Sequence, residues 1–341
     1  MVSGWVLTFA VVLGLSWVGT GAALKILARR AVLDHPNERS SHSRPTPRGG
    51  GVAVVASILA AWAATGGGDD TTTLVILIAL GLGALSFVDD LRGLPPLPRF
   101  GTQLISVGAV LAALPDGALV FQGLLPLGLD RLAAALVWLW FINLYNFMDG
   151  IDGITGVETV CVAGGLAGIM ALVGQGGEAL VPHALAPHAL AMAAAALGFL
   201  AWNWHPARIF MGDVGSVPLG FLLGWLLVQA AVAGLWVPAL ILPAYYLADA
   251  SITLLRRLLR GEKVWQAHRE HFYQKAVRAG WSHATVSSLI LAANLGLVGL
   301  AGAAAVGAAG PVPALAGAAA TVAALLAALT WGPRLGAGRA A

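Results

Sequence analysis

The sequence has too few charged residues for an ordinary soluble protein. Only 10% of its 341 residues are charged, whereas 58% are hydrophobic and a further 44 are glycine. A soluble domain carries about 25% charged residues, so a soluble fold of this size could not cover its surface. The scarcity of charge excludes a cytosolic enzyme, a disordered protein and a nucleic-acid-binding protein, in spite of a pI near 9.4. It is typical of a polytopic membrane protein.

Cysteine is also nearly missing, because Cys161 is the single one and lies in an apolar run. No intrachain disulfide can form. The first charged residue, Lys25, follows the first apolar stretch rather than preceding it, so we expect no cleavable signal peptide.

Eleven apolar stretches have roughly the length needed to cross a bilayer of about 30 Å. They predict an all-α, polytopic integral membrane protein with about eleven transmembrane helices in a single domain over residues 1–341. The stretches lie near residues 5–24, 50–65, 72–88, 102–121, 132–148, 154–174, 184–202, 214–233, 236–255, 284–308 and 312–331.

The basic residues predict the orientation of these stretches. If the stretches alternate across the membrane, every Lys and Arg except Arg131 falls on one side. The positive-inside rule assigns that side to the cytoplasm, which puts the N-terminus in the periplasm and the C-terminus in the cytoplasm. The predicted cytoplasmic active-site segments are 25–49, 89–101, 146–155, 202–214 and 256–283.

The segment 34–51 joins the first two stretches and ends in three successive glycines. Arg44 and Arg48 supply fixed positive charge suited to phosphate. Glycines at a helix start let the backbone approach a ligand, and free N–H groups there bind anions. The alternative interpretation is a basic loop that only sets the orientation in the membrane.

Asp89 and Asp90 end the third stretch. Adjacent carboxylates at a helix C-terminus repel each other and oppose the helix dipole. A cation, a metal or a basic substrate environment would offset that cost, and simple ion pairs with Arg92 and Arg99 are the alternative. We favour a functional pair.

Residues 143–153 combine two asparagines, two aspartates and two glycines at the end of the fifth stretch. Asn146, Asp149 and Asp152 offer oxygen ligands, which suit Mg²⁺ or Ca²⁺. A plain turn between helices would explain the glycines and aspartates but not the asparagines.

Asp213 enters the eighth stretch, where a carboxylate can cap a helix or sit beside a metal-bound phosphate.

In the long basic segment 256–283, His268 and His271 are spaced to share a helix face. No third nitrogen or sulfur ligand for zinc is nearby, so phosphate contact is favoured over a basic amphipathic helix lying on anionic lipid. Asp249 is interpreted as an ion-pair partner of Arg256.

Metal-binding oxygens and phosphate-binding cations on one membrane face predict phosphoryl transfer, in which positioning and charge neutralisation do most of the work. One reactant would be a soluble pyrophosphate and the other a lipid phosphate from the bilayer.

Three strings occur in order: Phe-Val-Asp-Asp at 87–90, Asn-Phe-Met-Asp-Gly-Ile-Asp-Gly at 146–153 and Asn-x-x-Pro-Ala-x-x-Phe-Met-Gly-Asp at 203–213. Together they resemble the polyprenyl-phosphate N-acetylhexosamine-1-phosphate transferases, glycosyltransferase family 4. The resemblance covers about residues 34–275.

This resemblance implies a role for each predicted site residue. Asp213 and Asn146 would hold Mg²⁺, with Mn²⁺ as an alternative metal. Asp89 and Asp90 would lie near the attacking lipid phosphate, and Asp149 would belong to the same catalytic site. The implied substrate-binding residues are Asp152 and Asn203 at the nucleotide, with Arg44, Arg48, His268 and His271 at the phosphates.

The resemblance also implies the reaction and the partners. Undecaprenyl phosphate would attack the β-phosphate of a UDP-N-acetylhexosamine, releasing UMP and forming a polyprenyl diphosphate sugar. The enzyme would lie in the bacterial inner membrane with its site facing the cytoplasm, and a homodimer is compatible with the family. No nucleic acid is expected as a partner.

Residues 268–271 read His-Arg-Glu-His. This string resembles the O-antigen-initiating branch, whereas the phospho-N-acetylmuramoyl-pentapeptide transferases of peptidoglycan synthesis, the alternative, have a triple histidine. A secondary transporter and a membrane phosphatase are alternatives of other classes. The transporter would need charges near mid-membrane and an inverted repeat, but the carboxylates lie at one face.

Overall fold

The computed structural model describes residues 2–36, 44–65, 70–174, 180–263, 266 and 268–337 of the chain. In this described part the helices and strands follow in the order α1 (Val2–Arg29), β1 (Leu33–Asp34), β2 (Thr46–Pro47), α2 (Gly51–Thr65), α3 (Asp70–Arg92), α4 (Pro96–Ala112), α5 (Leu127–Phe147), α6 (Ile154–Val173), α7 (Leu180–Asn203), α8 (Asp213–Val232), α9 (Trp236–Ile241), α10 (Ala244–Leu259), α11 (Phe272–Arg278), α12 (His283–Ala305) and α13 (Pro311–Ala337).

The helices confirm an all-α, multi-pass membrane protein. Eight of the described helices are long and apolar enough to cross a bilayer. The other predicted stretches correspond to α2, α4 and the pair α9–α10, which are shorter. The number of eleven spans and the orientation of the termini stay predictions.

Prolines account for two differences between the predicted stretches and the helices. The stretch 236–255 is divided into α9 and α10 around Pro243, which has no N–H to donate and whose ring clashes with the preceding turn. The stretch 102–121 is helical only to Ala112, three residues before Pro115. A short antiparallel pair, β1 with β2, was not predicted.

Helix α8 lies in the middle of the bundle. Every residue from Val214 to Val228 is buried, and α8 packs against α2, α3 and α5. A helix that is apolar on all sides is stable only when neighbours surround it. Asp213 is its first residue, so the predicted metal ligand stands at the end of the most enclosed helix.

Glycines let the first loop lie directly on the segment before α8. The N–H groups of Gly49 and Gly50 donate to the carbonyl oxygen of Phe210, at 3.1 and 2.9 Å, and that of Gly51 donates to Met211, also at 2.9 Å. The expectation that these N–H groups are free for an anion is therefore wrong, because the backbone of a remote segment uses them.

The start of α2 also meets α8 backbone to backbone. A Cβ on Gly51 would collide with the backbone of Gly215, and a Cβ on Gly215 would collide with the backbone of Gly51. Neither residue can move away by a side-chain rotation, because the contacting atoms of both are backbone atoms. The contact fixes the first loop beside Asp213.

We predict that Gly215→Ala destabilises the protein although alanine is the better helix former. Overpacking typically costs about 1–3 kcal/mol, which exceeds the roughly 1 kcal/mol that alanine gains over glycine inside a helix. Thermal unfolding in detergent would show a lower midpoint. Gly81→Ala in α3 is the matched control, since no atom lies within 4 Å of the position that a Cβ would take there. An unchanged midpoint for Gly215→Ala would contradict the close contact.

Candidate active site

Two arginines bridge three of the predicted carboxylates at the start of α8. Arg48 Nη2 lies 2.9 Å from Oδ1 of Asp90 and 2.7 Å from Oδ1 of Asp213. Arg99 Nη1 lies 2.8 Å from Oδ2 of Asp89, and its Nη2 lies 2.9 Å from Oδ2 of Asp213. We call these five residues the carboxylate–arginine network. Its groups come from the first loop, α3, α4 and α8.

Asp90 caps α8, although it belongs to α3. Its Oδ1 accepts the N–H of Asp213 at 3.1 Å, and its Oδ2 accepts the N–H of Val214 at 2.9 Å. The positive end of the α8 dipole therefore offsets the unfavourable end of the α3 dipole at Asp90. The alternative in which Asp213 itself caps the helix is wrong, because Gly212 is the N-cap residue and no side-chain cap is present there.

The residues around Asn146 and Asp149 adjoin this network from α5. Asn146 Nδ2 donates to Ser216 Oγ of α8 at 2.9 Å. Asp149 accepts a 2.6 Å hydrogen bond from Thr155 Oγ1. Burial raises the pKa of the Asp149 carboxyl to about 6, against the effects of Thr155 and Arg48. Asp149 is thus a carboxylate that titrates close to neutral pH.

Asp152 holds the segment before α8 and the start of α12 together. Its Oδ2 lies 2.6 Å from His205 Nδ1 and accepts the N–H of Ala207 at 3.1 Å. Its Oδ1 lies 3.1 Å from His283 Nδ1. Burial acts to raise the pKa of Asp152, but the contacts with His283 and His205 outweigh it and leave the pKa below its ordinary value. The carboxylate is buried, and its predicted nucleotide contact stays a prediction.

Asn203 supports the same segment. Its Oδ1 accepts the N–H of Gly153 at 2.9 Å, and its Nδ2 donates to the carbonyl oxygen of Ile209 at 2.9 Å. The side chain is buried, so within the described residues it connects two loops of the site. Its predicted role at the nucleotide also stays a prediction.

The two predicted histidines lie against each other, with ring centroids 4.8 Å apart. His271 is only 2% exposed and lies 3.1 Å from the Asp249 carboxylate. His268 is half-buried, and burial, followed by the charges of His271 and Arg257, lowers its pKa to about 4. His268 is therefore neutral at pH 7.

The structure corrects the interpretation of Asp249 and separates Arg44 from the network. Asp249 pairs with His271 and not with Arg256, whose guanidinium lies over the ring of Phe272, 5.1 Å from its centroid. Arg44 is exposed, two residues before β2. Residues 37–43, 264, 265 and 267 of the predicted loops lie outside the described residues.

Three residues of the site were missed from the sequence. Arg99 was considered only as an ion-pair partner, but it binds two carboxylates of different helices. A basic residue shortly after the Asp89–Asp90 pair, across a proline-rich turn, is the signal that could have indicated it. His205 and His283 are far apart in the chain, and no local pattern joins them to Asp152.

The residue types at Asp213 are those that a hard divalent cation prefers, although both of its oxygens contact arginines in this structure. Asp213, which is 15% exposed at its side chain, and Asn146 offer oxygen atoms as ligands, and oxygen ligands are what Mg²⁺ prefers. Within the described residues, one group of three His, Cys, Asp or Glu donors lies within 4.8 Å: Asp152, His205 and His283. Hydrogen bonding between the two rings and the carboxylate accounts for that group without a metal.

The chain is similar to known proteins over most of its length. The sequence model of glycosyl transferase family 4 matches residues 72–231, which include Asp89, Asp90, Asn146 and Asp213. A probable undecaprenyl-phosphate N-acetylglucosaminyl 1-phosphate transferase of Bacillus subtilis is 27% identical, over 76% of this chain and 73% of its own length.

Two further relatives have names that give different substrates. A decaprenyl-phosphate N-acetylglucosaminephosphotransferase of Mycolicibacterium smegmatis is 29% identical, over 81% of this chain and 76% of its own length. A phospho-N-acetylmuramoyl-pentapeptide-transferase of Streptococcus thermophilus is 31% identical, but over only 52% of this chain and 54% of its own length.

Proposed function

The chain belongs to the polyprenyl-phosphate sugar-1-phosphate transferases of glycosyl transferase family 4, and we propose from this premise that it transfers N-acetylhexosamine-1-phosphate from a UDP-sugar to undecaprenyl phosphate. The product would initiate O-antigen or another cell-envelope polysaccharide at the cytoplasmic face of the bacterial inner membrane. The carboxylate–arginine network at the start of α8 is the observation that carries the proposal.

In the proposed reaction, an oxygen of the lipid phosphate attacks the β-phosphorus of the UDP-sugar. The bond from that phosphorus to the bridging oxygen breaks, and UMP leaves with the bridging oxygen. Asp213 and Asn146 would hold Mg²⁺, which supplies positive charge beside the pyrophosphate. Arg48 and Arg99 have N–H groups beyond those bound to carboxylates, and these would contact phosphate oxygens.

Asp149 is the carboxylate best suited to take a proton from the lipid phosphate. Asp89 and Asp90 are paired with arginines, at 2.8 and 2.9 Å. Burial raises the pKa of Asp90 in spite of Arg48, but both of its oxygens already accept N–H groups at the start of α8. The pKa of Asp149 is raised to about 6 by burial, and a base with a pKa near the working pH is the most effective one.

An apolar cavity of about 530 Å³ supports a lipid substrate. It lies between α5, α8 and α9–α10, the first two of which carry site residues at their ends. Phe141 in its wall is six residues, or about 9 Å of helix, from the end of α5. We propose that this cavity receives part of the isoprenoid tail of the lipid while its phosphate lies at the candidate site. The lining residues include Val120, Phe121, Val137, Trp138, Phe141, Leu227, Val228, Trp236, Ala239 and Leu247.

The function is tested by measuring UMP release from a panel of donors. Purified protein in lipid nanodiscs receives undecaprenyl phosphate, Mg²⁺ and either UDP-N-acetylglucosamine, UDP-N-acetylgalactosamine or UDP-N-acetylmuramoyl-pentapeptide. We expect UMP with an N-acetylhexosamine donor. Asp213→Asn should lower kcat about a thousandfold, because a metal ion provides several kcal/mol of charge stabilisation in the transition state.

Asp70→Asn is the matched control, since Asp70 is exposed at the opposite end of α3 from the Asp89–Asp90 pair. It should keep wild-type activity. UMP only with the pentapeptide donor would assign the chain to the peptidoglycan branch. UMP from no donor, with verified lipid, would overturn the transferase.

The pKa of Asp149 predicts the pH dependence. Because the carboxylate form acts as the base and its pKa is raised to about 6, kcat/KM should fall as the pH drops through about 6. Thr155→Val removes a hydrogen bond that lowers this pKa, so the acid limb should move to higher pH. Thr159→Val is the matched control, since Thr159 bonds the carbonyl oxygen of Thr155 and not Asp149. An unmoved limb in Thr155→Val would exclude Asp149 as the titrating group.

If the cavity holds the isoprenoid tail, narrowing it should raise the KM for a long lipid phosphate but not for a short one. Val137→Trp should raise the KM for undecaprenyl phosphate about fivefold, corresponding to about 1 kcal/mol, and leave the KM for a two-isoprene phosphate unchanged. Leu136→Trp is the matched control, because Leu136 is similarly exposed but does not line the cavity. Equal effects of both variants, or of one variant on both lipids, would argue against the cavity as the tail site.

A further inference from the structure

Asp249 is a buried carboxylate on α10 that the proposed reaction does not use. Its side chain is 0% exposed, and a charge in such a position is costly unless donors surround it. Its Oδ1 accepts the N–H of Phe272 at 3.0 Å, and its Oδ2 accepts the N–H of Tyr273 at 3.3 Å. Asp249 thereby satisfies the first N–H groups of α11 from a different helix.

The same carboxylate fixes the ring of His271. The Nδ1 atom lies 3.1 Å from Oδ1 of Asp249, and an ionised carboxylate can only accept hydrogen bonds. The side chain of His271 also faces the backbone N–H of Gln274 in the capping box of α11, but the charged carboxylate is the stronger partner. It favours a proton on Nδ1 and thereby sets the tautomer and the orientation of the ring. Tyr245 Oη also donates to Oδ2, at 3.2 Å, so a side chain of α10 helps to hold the carboxylate in place.

His271 in turn positions His268. The two rings face each other at 4.8 Å, and the buried His271 forms the inner layer of this pair. Nδ1 of His268 accepts the N–H of Glu270 at 3.3 Å. In neutral His268 the proton is then on Nε2, so the half-buried ring has an N–H donor at that atom.

Tyr273 extends the connection to the loop that carries Asp149. Its hydroxyl donates to the carbonyl oxygen of Phe147, at the end of α5, at 3.3 Å. Gly150 leaves the space for this hydroxyl, since a Cβ there would collide with it. The orientation of α11, set by Asp249, thus bears directly on the loop that holds the proposed base.

We propose that Asp249 is a positioning residue of this site, which acts through His271 and the start of α11 to hold His268 and the Asp149 loop in place. The proposal rests on the proposed function only in treating His268 and the Asp149 loop as parts of an active site. The contacts that define it are independent of any reaction.

The first test reads the tautomer of His271 directly. The protein is labelled with ¹⁵N-histidine, reconstituted in lipid and examined by solid-state NMR, with His271→Gln used to assign the signal. We expect a protonated Nδ1 in the wild type. Nδ1 without a proton in the wild type would overturn the proposal, whatever the activity of the protein.

The second test is a double-mutant cycle on kcat. Asp249→Asn keeps one of the two oxygens that accept the N–H groups of Phe272 and Tyr273, but loses the charge beside His271. We expect Asp249→Asn and His271→Gln each to lower kcat about 10- to 100-fold, as loss of an orienting partner does at metal sites, and the double variant to lose no more. Multiplying losses would overturn the coupling.

Thr253→Val is the matched control, since Thr253 contacts the same carboxylate at 3.4 Å without touching His271. It should change kcat less than about threefold, and an equal loss would reduce Asp249 to a general structural role. If Asp249→Asn fails to fold, His271→Gln and the wild-type spectrum still decide the proposal. If the wild-type protein has the expected tautomer but releases no UMP, the proposed function is wrong and the contacts of Asp249 are unaffected.

Discussion

The positive N-terminus of α8 is the feature on which the arrangement of the site depends. Because α8 is buried along its length, its first N–H groups need acceptors from the protein. Asp90 provides them from α3. That capping brings Asp90 next to Asp213, and two carboxylates so close are stable only with cations between them. Arg48 and Arg99 are those cations, and they draw the first loop and α4 onto the same helix end.

The carboxylates of the site fall into two groups, according to whether they contact an arginine or a hydroxyl group. Three of them share two guanidinium groups and so leave one net negative charge, in a position where a divalent cation would be favoured. Asp149 has a hydroxyl as its hydrogen-bond donor instead, and burial raises its pKa to about 6. Burial raises the pKa of both Asp90 and Asp149, but Asp90 also accepts from Arg48 and from the first N–H groups of α8. The carboxylates therefore differ in their partners, and the proposed base is the one that a hydroxyl holds.

The sequence predicted the class of fold and the loops of the site because both depend on local signals. Apolar stretches and the side on which the basic residues fall do not require knowledge of packing. The partners of single side chains do require it. The glycine N–H groups of the first loop bond to Phe210 and Met211, which are remote in the sequence, and Asp249 bonds to His271 across a loop. Such pairs depend on how remote segments approach each other, which spacing along one sequence does not record.

The two kinds of basic partner that these carboxylates use differ in burial. Arg48 and Arg99 keep about a third of their side-chain surface exposed, where a permanent charge is solvated. The carboxylates that anchor loops of the site, Asp152 and Asp249, instead contact imidazole rings, two of which are also buried. An imidazole can donate a hydrogen bond without carrying charge, so a loop can be tied into an apolar bundle without burying a second ion. Permanent positive charge then remains at the helix end where phosphate groups are expected.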